Sequence, residues 1–140
     1  MKQVLITLSI LFISSLTYSQ CRGFVKQNCE PSLGVYIPTG QLNYTEISPG
    51  SKSEFMLTFY KGQDYRIVAC ADPILTNVHF TVRDANRTLI FDSLGQTDLE
   101  FDFKVATTQK LIISLIAEEL ETPSEEEIEG CVSAMVGFKY

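Results

Sequence analysis

Tryptophan is absent from this chain of 140 residues, histidine occurs once, and 11 basic residues face 17 acidic ones. Each shortage removes a class of function. Without tryptophan, a sugar-cleaving cleft lacks its most effective stacking platform. With one histidine, any Ser-His-Asp or Cys-His scheme must run through His79. That residue falls on the polar phase of its segment, between Val78 and Phe80, with no nucleophile motif nearby. It reads as a histidine without a catalytic role. The net charge of −6 repels phosphate backbones and anionic membrane surfaces, so no nucleic-acid partner is expected. No CxxC pair occurs, which argues against zinc. No apolar run beyond the first residues approaches the ~20 residues of a membrane span.

The first residues carry the strongest positive signal. Met1 and Lys2 precede an apolar core from Val4 to Ile13, and Thr17-Tyr18-Ser19 puts small side chains at both positions that matter before Gln20. That pattern is a secretory signal peptide, residues 1–19, leaving 20–140 as a single exported domain in the periplasm or the secreted space. Gln20 stands where a lipoprotein signal carries a small residue, which argues against lipidation of Cys21.

The remainder reads as short segments of alternating polarity, broken by Gly, Pro, Asn and Asp. Leu99, Phe101, Phe103 and Val105 alternate with Glu100, Asp102 and Lys104. Similar runs centre on Phe55–Phe59, Tyr65–Ala69, Val78–Val82, Leu89–Phe91 and Val132–Phe138. Leu111 to Ala117 is denser in apolar residues, as in a strand covered on both faces. Counting an early one near Leu33–Ile37, about eight strands are predicted, with no helical stripe. Glu118–Glu129, interrupted by Pro123, is predicted to be a loop. The fold class is therefore all-β, a two-sheet antiparallel β-sandwich.

Export turns Cys21, Cys29, Cys70 and Cys131 into disulfide candidates with three possible pairings. Proximity in sequence favours 21–29 with 70–131. Other candidates are more diffuse. Asp84, Asn86 and Asp92 supply the oxygen side chains that calcium prefers, although no cofactor is otherwise expected. Tyr36, Tyr44 and Tyr60 are predicted to be exposed and could form a patch for glycan or peptide. Ser93, in Asp92-Ser93-Leu94, resembles a bacterial O-glycosylation acceptor. Asn43 and Asn86 open N-x-[ST] triplets. Glu100 and Asp102 share a strand face, the minimum for a hydrolase using paired carboxylates. The seven carboxylates of Glu118–Glu129 offer a surface for calcium or a cationic partner, or a solvated loop.

From about Ser51 to Tyr140 the order of features resembles the bacterial prepeptidase C-terminal domain. The resemblance runs through Gly62-Gln63-Asp64-Tyr65-Arg66-Ile67, Phe80-Thr81-Val82-Arg83-Asp84, Leu89-Ile90-Phe91-Asp92-Ser93, Leu99-Glu100-Phe101-Asp102-Phe103 and Gly130-Cys131-Val132-Ser133-Ala134. It implies a jelly-roll-like sandwich that binds or stabilises, sometimes with calcium. Thr107-Thr108-Gln109-Lys110 stands where such domains carry a Gly-Thr-Tyr turn. The expected function is a small exported, non-catalytic module of the bacterial envelope or secreted space that binds a protein or glycan. A secreted protease inhibitor is the alternative, ahead of a hydrolase.

Overall fold

The computed structural model describes residues 16–140; the basic start and apolar core of the expected signal peptide lie outside the described residues. An α-helix, α1 (Leu16–Phe24), opens the described chain. A π-helical turn (Val25–Cys29) and a 3-10 turn (Glu30–Leu33) follow it. Nine strands come next: β1 (Ile37–Pro38), β2 (Asn43–Ile47), β3 (Lys52–Phe59), β4 (Asp64–Ala71), β5 (Val78–Asp84), β6 (Leu89–Asp92), β7 (Glu100–Lys104), β8 (Gln109–Ala117) and β9 (Gly130–Lys139).

The alternating segments form two antiparallel sheets. In the first, β9 pairs β1 and β2 along one side and β4 along the other, and β4 pairs β7. In the second the order is β3-β8-β5-β6. Period-2 alternation sends one face of each sheet inward. Phe59, Phe80, Ile113, Leu115, Ile67 and Val132 meet there, none more than 1% exposed. Stacked Phe91, Phe101 and Phe103 close the β6–β7 side, with centroids 4.3 and 4.9 Å apart.

The expectation of a strand near Leu33–Ile37, and of no helix, is corrected here. Only Ile37 and Pro38 are strand; Leu33 ends the 3-10 turn, and Gly34–Tyr36 form a turn and bend between them. Cys21, Val25, Cys29 and Leu33 recur every four residues, the spacing of one helix face, and all four are buried. That face lies on the outer side of the first sheet. Val25, Cys29, Leu33 and Tyr36 form a second core there with Val68 and Met135. Contact is close enough that a Cβ on Gly137 would stand 2.8 Å from the Tyr36 Cβ.

The same geometry overturns the expected disulfide pairing. Cys21 bonds Cys131 and Cys29 bonds Cys70, each with Cα atoms 5.6 Å apart. Eight helical residues advance about 12 Å, beyond the ~7 Å that a disulfide can bridge. Cys21 and Cys29 therefore cannot reach each other, and each reaches the strand beneath it.

Candidate functional site

The antiparallel order gives the sandwich two unlike ends. Turns 60–63, 85–88 and 105–108 are short and lie at one end. Loops 48–51, 72–77, 93–99 and 118–129 gather at the other. The gathering is held by backbone hydrogen bonds from Gly50 N–H to the Ala117 carbonyl (2.9 Å), Asp72 N–H to Cys131 (2.8 Å) and Glu118 N–H to Asn77 (3.4 Å). Ile74 and Leu75 pack so closely on Gly130 that a Cβ there would meet them at 2.9 and 2.8 Å.

Charge follows this division. The long loops carry Asp72, Asp98 and the seven glutamates of 118–129, and no lysine or arginine. Lys61, Arg87, Lys104, Lys110 and Lys139 sit at or beside the short-turn end. Ile74 and Leu94 are 49% and 60% exposed within the acidic loops. The Glu118–Glu129 segment holds no helix or strand, as its sequence predicts. Loops that carry carboxylates together with exposed apolar side chains make a surface suited to a cationic protein.

The other sequence-predicted residues scatter. Tyr36, expected to be exposed, is 7% exposed. The helical layer carries it onto the first sheet, with the Arg66 guanidinium 4.7 Å and the Lys139 Nζ 4.8 Å from its ring centroid. Tyr44 is half-buried against the same second core, and Tyr60 alone stands out, 59% exposed. The three tyrosines form no common patch.

Ser93 is corrected as a glycosylation acceptor. It is 1% exposed, and its Oγ accepts the Phe80 N–H at 2.8 Å, so the folded chain hides it. Asn43, 6% exposed, donates to the Ala134 carbonyl at 3.4 Å, whereas Asn86 lies on an exposed turn. The Asp84 Oδ1 accepts the Asn86 and Thr88 N–H groups, both at 2.9 Å, and the Asp92 Oδ1 accepts the Leu94 N–H at 2.9 Å. These carboxylates cap turns. Among the described residues no group of three or more His, Cys, Asp and Glu side chains converges on a metal position.

Glu100 and Asp102 do share the outer face of β7, and sequence reasoning missed what joins them. Arg66, on the outward phase of β4, donates from Nε and Nη2 to Asp102 at 2.7 and 2.8 Å and lies 3.8 Å from Glu100. The Arg66 hydrogen bonds hold the Asp102 carboxyl below its ordinary value. A general acid needs the opposite shift. The clue in the sequence was the register of two outward-facing opposite charges on alternating strands, which cannot be fixed without knowing that β4 pairs β7. His79 lines a cleft with Asn77, Ser93 and Glu118, and its Nδ1 is buried without a partner. No described helix is long and apolar enough to cross a membrane.

No protein-family model matches this chain, and no curated protein matches it. Among solved structures it is similar to the crystal structure of Aeromonas hydrophila PliG, a periplasmic lysozyme inhibitor of g-type lysozyme. The TM-score is 0.52 at 12% sequence identity, over 71% of this chain and 85% of that one. What the two share is the fold.

Proposed function

We propose that this chain is an exported, non-enzymatic binding module that inhibits a lysozyme, engaging it through the acidic loop end. The observation that carries the reading is the fold it shares with a periplasmic lysozyme inhibitor. Three further features support it. The two disulfides fit an oxidising compartment. Of the two carboxylates that share the outer face of β7, Asp102 is tied to Arg66, whose hydrogen bonds lower its pKa, the opposite of what a general acid needs. The loop end joins uncompensated negative charge to exposed Ile74 and Leu94, the pairing of steering charge and apolar anchor that protein interfaces use.

The test is inhibition. Oxidised protein from Gln20 onward is titrated into a g-type lysozyme digesting peptidoglycan, with c-type and i-type lysozymes and an extracellular serine protease in parallel. The expected result is loss of lysozyme activity at about one equivalent. Inhibition confined to the protease would replace this reading with a protease inhibitor. Full activity of every enzyme at tens of micromolar inhibitor would reject both.

A further inference from the structure

At the short-turn end, on the side where β3 faces β1 and β9, the sandwich opens into a cleft of about 510 Å³. In a chain with 20% charged residues, none of the eleven residues lining it is charged or a histidine. Its polar groups are hydroxyls and amides, from Thr39, Gln41, Thr58, Tyr60 and Gln63, beside the apolar Met56. Tyr60 and Met56 are each 59% exposed at the rim.

The turn that presents Tyr60 is pinned at three points. Tyr60 N–H donates to the Tyr65 hydroxyl at 2.9 Å, Lys61 N–H to the Thr108 Oγ1 at 2.9 Å, and Gly62 N–H to the Val105 carbonyl at 2.9 Å. Gly62 sits at φ +88°, a conformation open to glycine. Tyr65, 3% exposed, donates onward to the Gln63 Oε1 at 2.9 Å. That bond occupies the Gln63 oxygen and leaves the amide's two N–H donors for another partner. The cleft thus has a rigid aromatic rim and an oriented amide donor before any ligand arrives, which lowers the ordering cost of binding.

We infer that this cleft binds a short neutral oligosaccharide. A charged ligand would find no counter-charge among the lining residues. A purely apolar one would desolvate the Gln and Thr groups without replacing their bonds to water. A neutral sugar meets both demands: its C–H face packs on the Tyr60 ring while its hydroxyls bond amides and hydroxyls. The volume lies within the roughly 300–1,000 Å³ typical of small-molecule sites. The inference does not depend on lysozyme inhibition, because the cleft and the acidic loops lie at opposite ends.

The test is NMR titration of the 15N-labelled protein from Gln20 onward with triacetylchitotriose, cellotriose and maltotriose, and with an acidic hyaluronan oligosaccharide as comparison. At least one neutral sugar should shift the Tyr60, Gln63 and Gln41 signals saturably, with little change between low and high salt. Tyr60→Ala should weaken that binding about tenfold. Gln63→Glu, which keeps an acceptor for Tyr65 but loses the donors, should weaken it at least as much. Glu126→Gln, at the far end, should leave it unchanged. No shift at these residues with any neutral sugar at about 10 mM, a concentration that would half-saturate even a site with a Kd of that size, would overturn the proposal. Binding of hyaluronan alone, or shifts confined to other surfaces, would overturn it as well.

Discussion

Single side chains in this molecule do structural work that their residue types conceal. Ser93 looks like a surface hydroxyl, yet it closes a hydrogen-bond pair with Phe80: its Oγ accepts the Phe80 N–H, and its own N–H donates to the Phe80 carbonyl at 3.0 Å. Ser93→Ala should leave a buried amide unpaired at a cost of about 1–3 kcal/mol, read from the urea midpoint at constant m-value; a change within error would show that water replaces the hydroxyl. Asp102 makes a prediction about pH. Arg66 lowers its pKa in the folded chain, so the pair's stabilisation is fully present above the unfolded value of about 3.9 and fades as pH falls through the lower folded one. The stability gap between the native chain and Asp102→Asn should therefore be constant above about pH 5 and narrow below about pH 4. A gap independent of pH from 2 to 7, scanned by urea unfolding in steps of about one unit, would remove the ion pair as its cause.

At the scale of elements, the helical layer depends on its staples. Its apolar contribution is small, chiefly Val25, Leu33 and Tyr36 on Val68 and Met135. The covalent ties span 110 and 41 residues. In the chain-entropy view, losing the shorter closure costs about 4 kcal/mol. A Cys29→Ser/Cys70→Ser double variant should lose stability of that order in chemical denaturation, while Cys21–Cys131 still tethers the segment. Near-native stability would mean that packing alone holds the layer down. The stripe at 21, 25, 29 and 33 was legible as a helix face once the cysteines are counted as apolar. Weighing them only as bridge partners hid it. The strands were the legible part, because alternation is a local property and nearly every run of it became a strand. The exception was the stretch after Leu33, where a turn through Gly34 carries the chain off the helical layer and leaves only Ile37 and Pro38 in a strand.

For the whole molecule, the arrangement of charge matters more than its sum. Net −6 is modest, but four loops collect nine carboxylates at one end without a base. Association with a cationic partner through that end should be fast at low salt and slow steeply as salt rises, within the electrostatic range of about 10- to 1,000-fold. Replacing Glu125, Glu126 and Glu127 by Gln should lower the association rate and flatten its salt dependence while leaving dissociation little changed. Stopped-flow or surface-binding kinetics against an inhibited lysozyme would show this, and a rate indifferent to both salt and the triple variant would place the interface elsewhere. Half of this surface could be read in advance: the run at 118–129 is plain in the sequence. That Asp72 and Asp98 join it, and that Lys61, Arg87, Lys104, Lys110 and Lys139 lie toward the other end, depends on which loops the antiparallel order brings together.

By itself the sequence determined what is local: strands from period-2 alternation, turns at Gly, Asn and Asp, and an acidic loop broken by proline. It also marked the four cysteines as disulfide candidates, and all four are paired. Only the tertiary structure decided with whom. Cys21 found Cys131 across 110 residues because a helix face set it over β9. Tyr36 went inward and Tyr60 stayed out, although both are tyrosines near turns, because one follows the helical layer onto a sheet and the other is held out by Tyr65. Pairing, burial and the joining of distant loops into one surface arise from contacts between residues far apart in the chain, and no local pattern encodes those contacts.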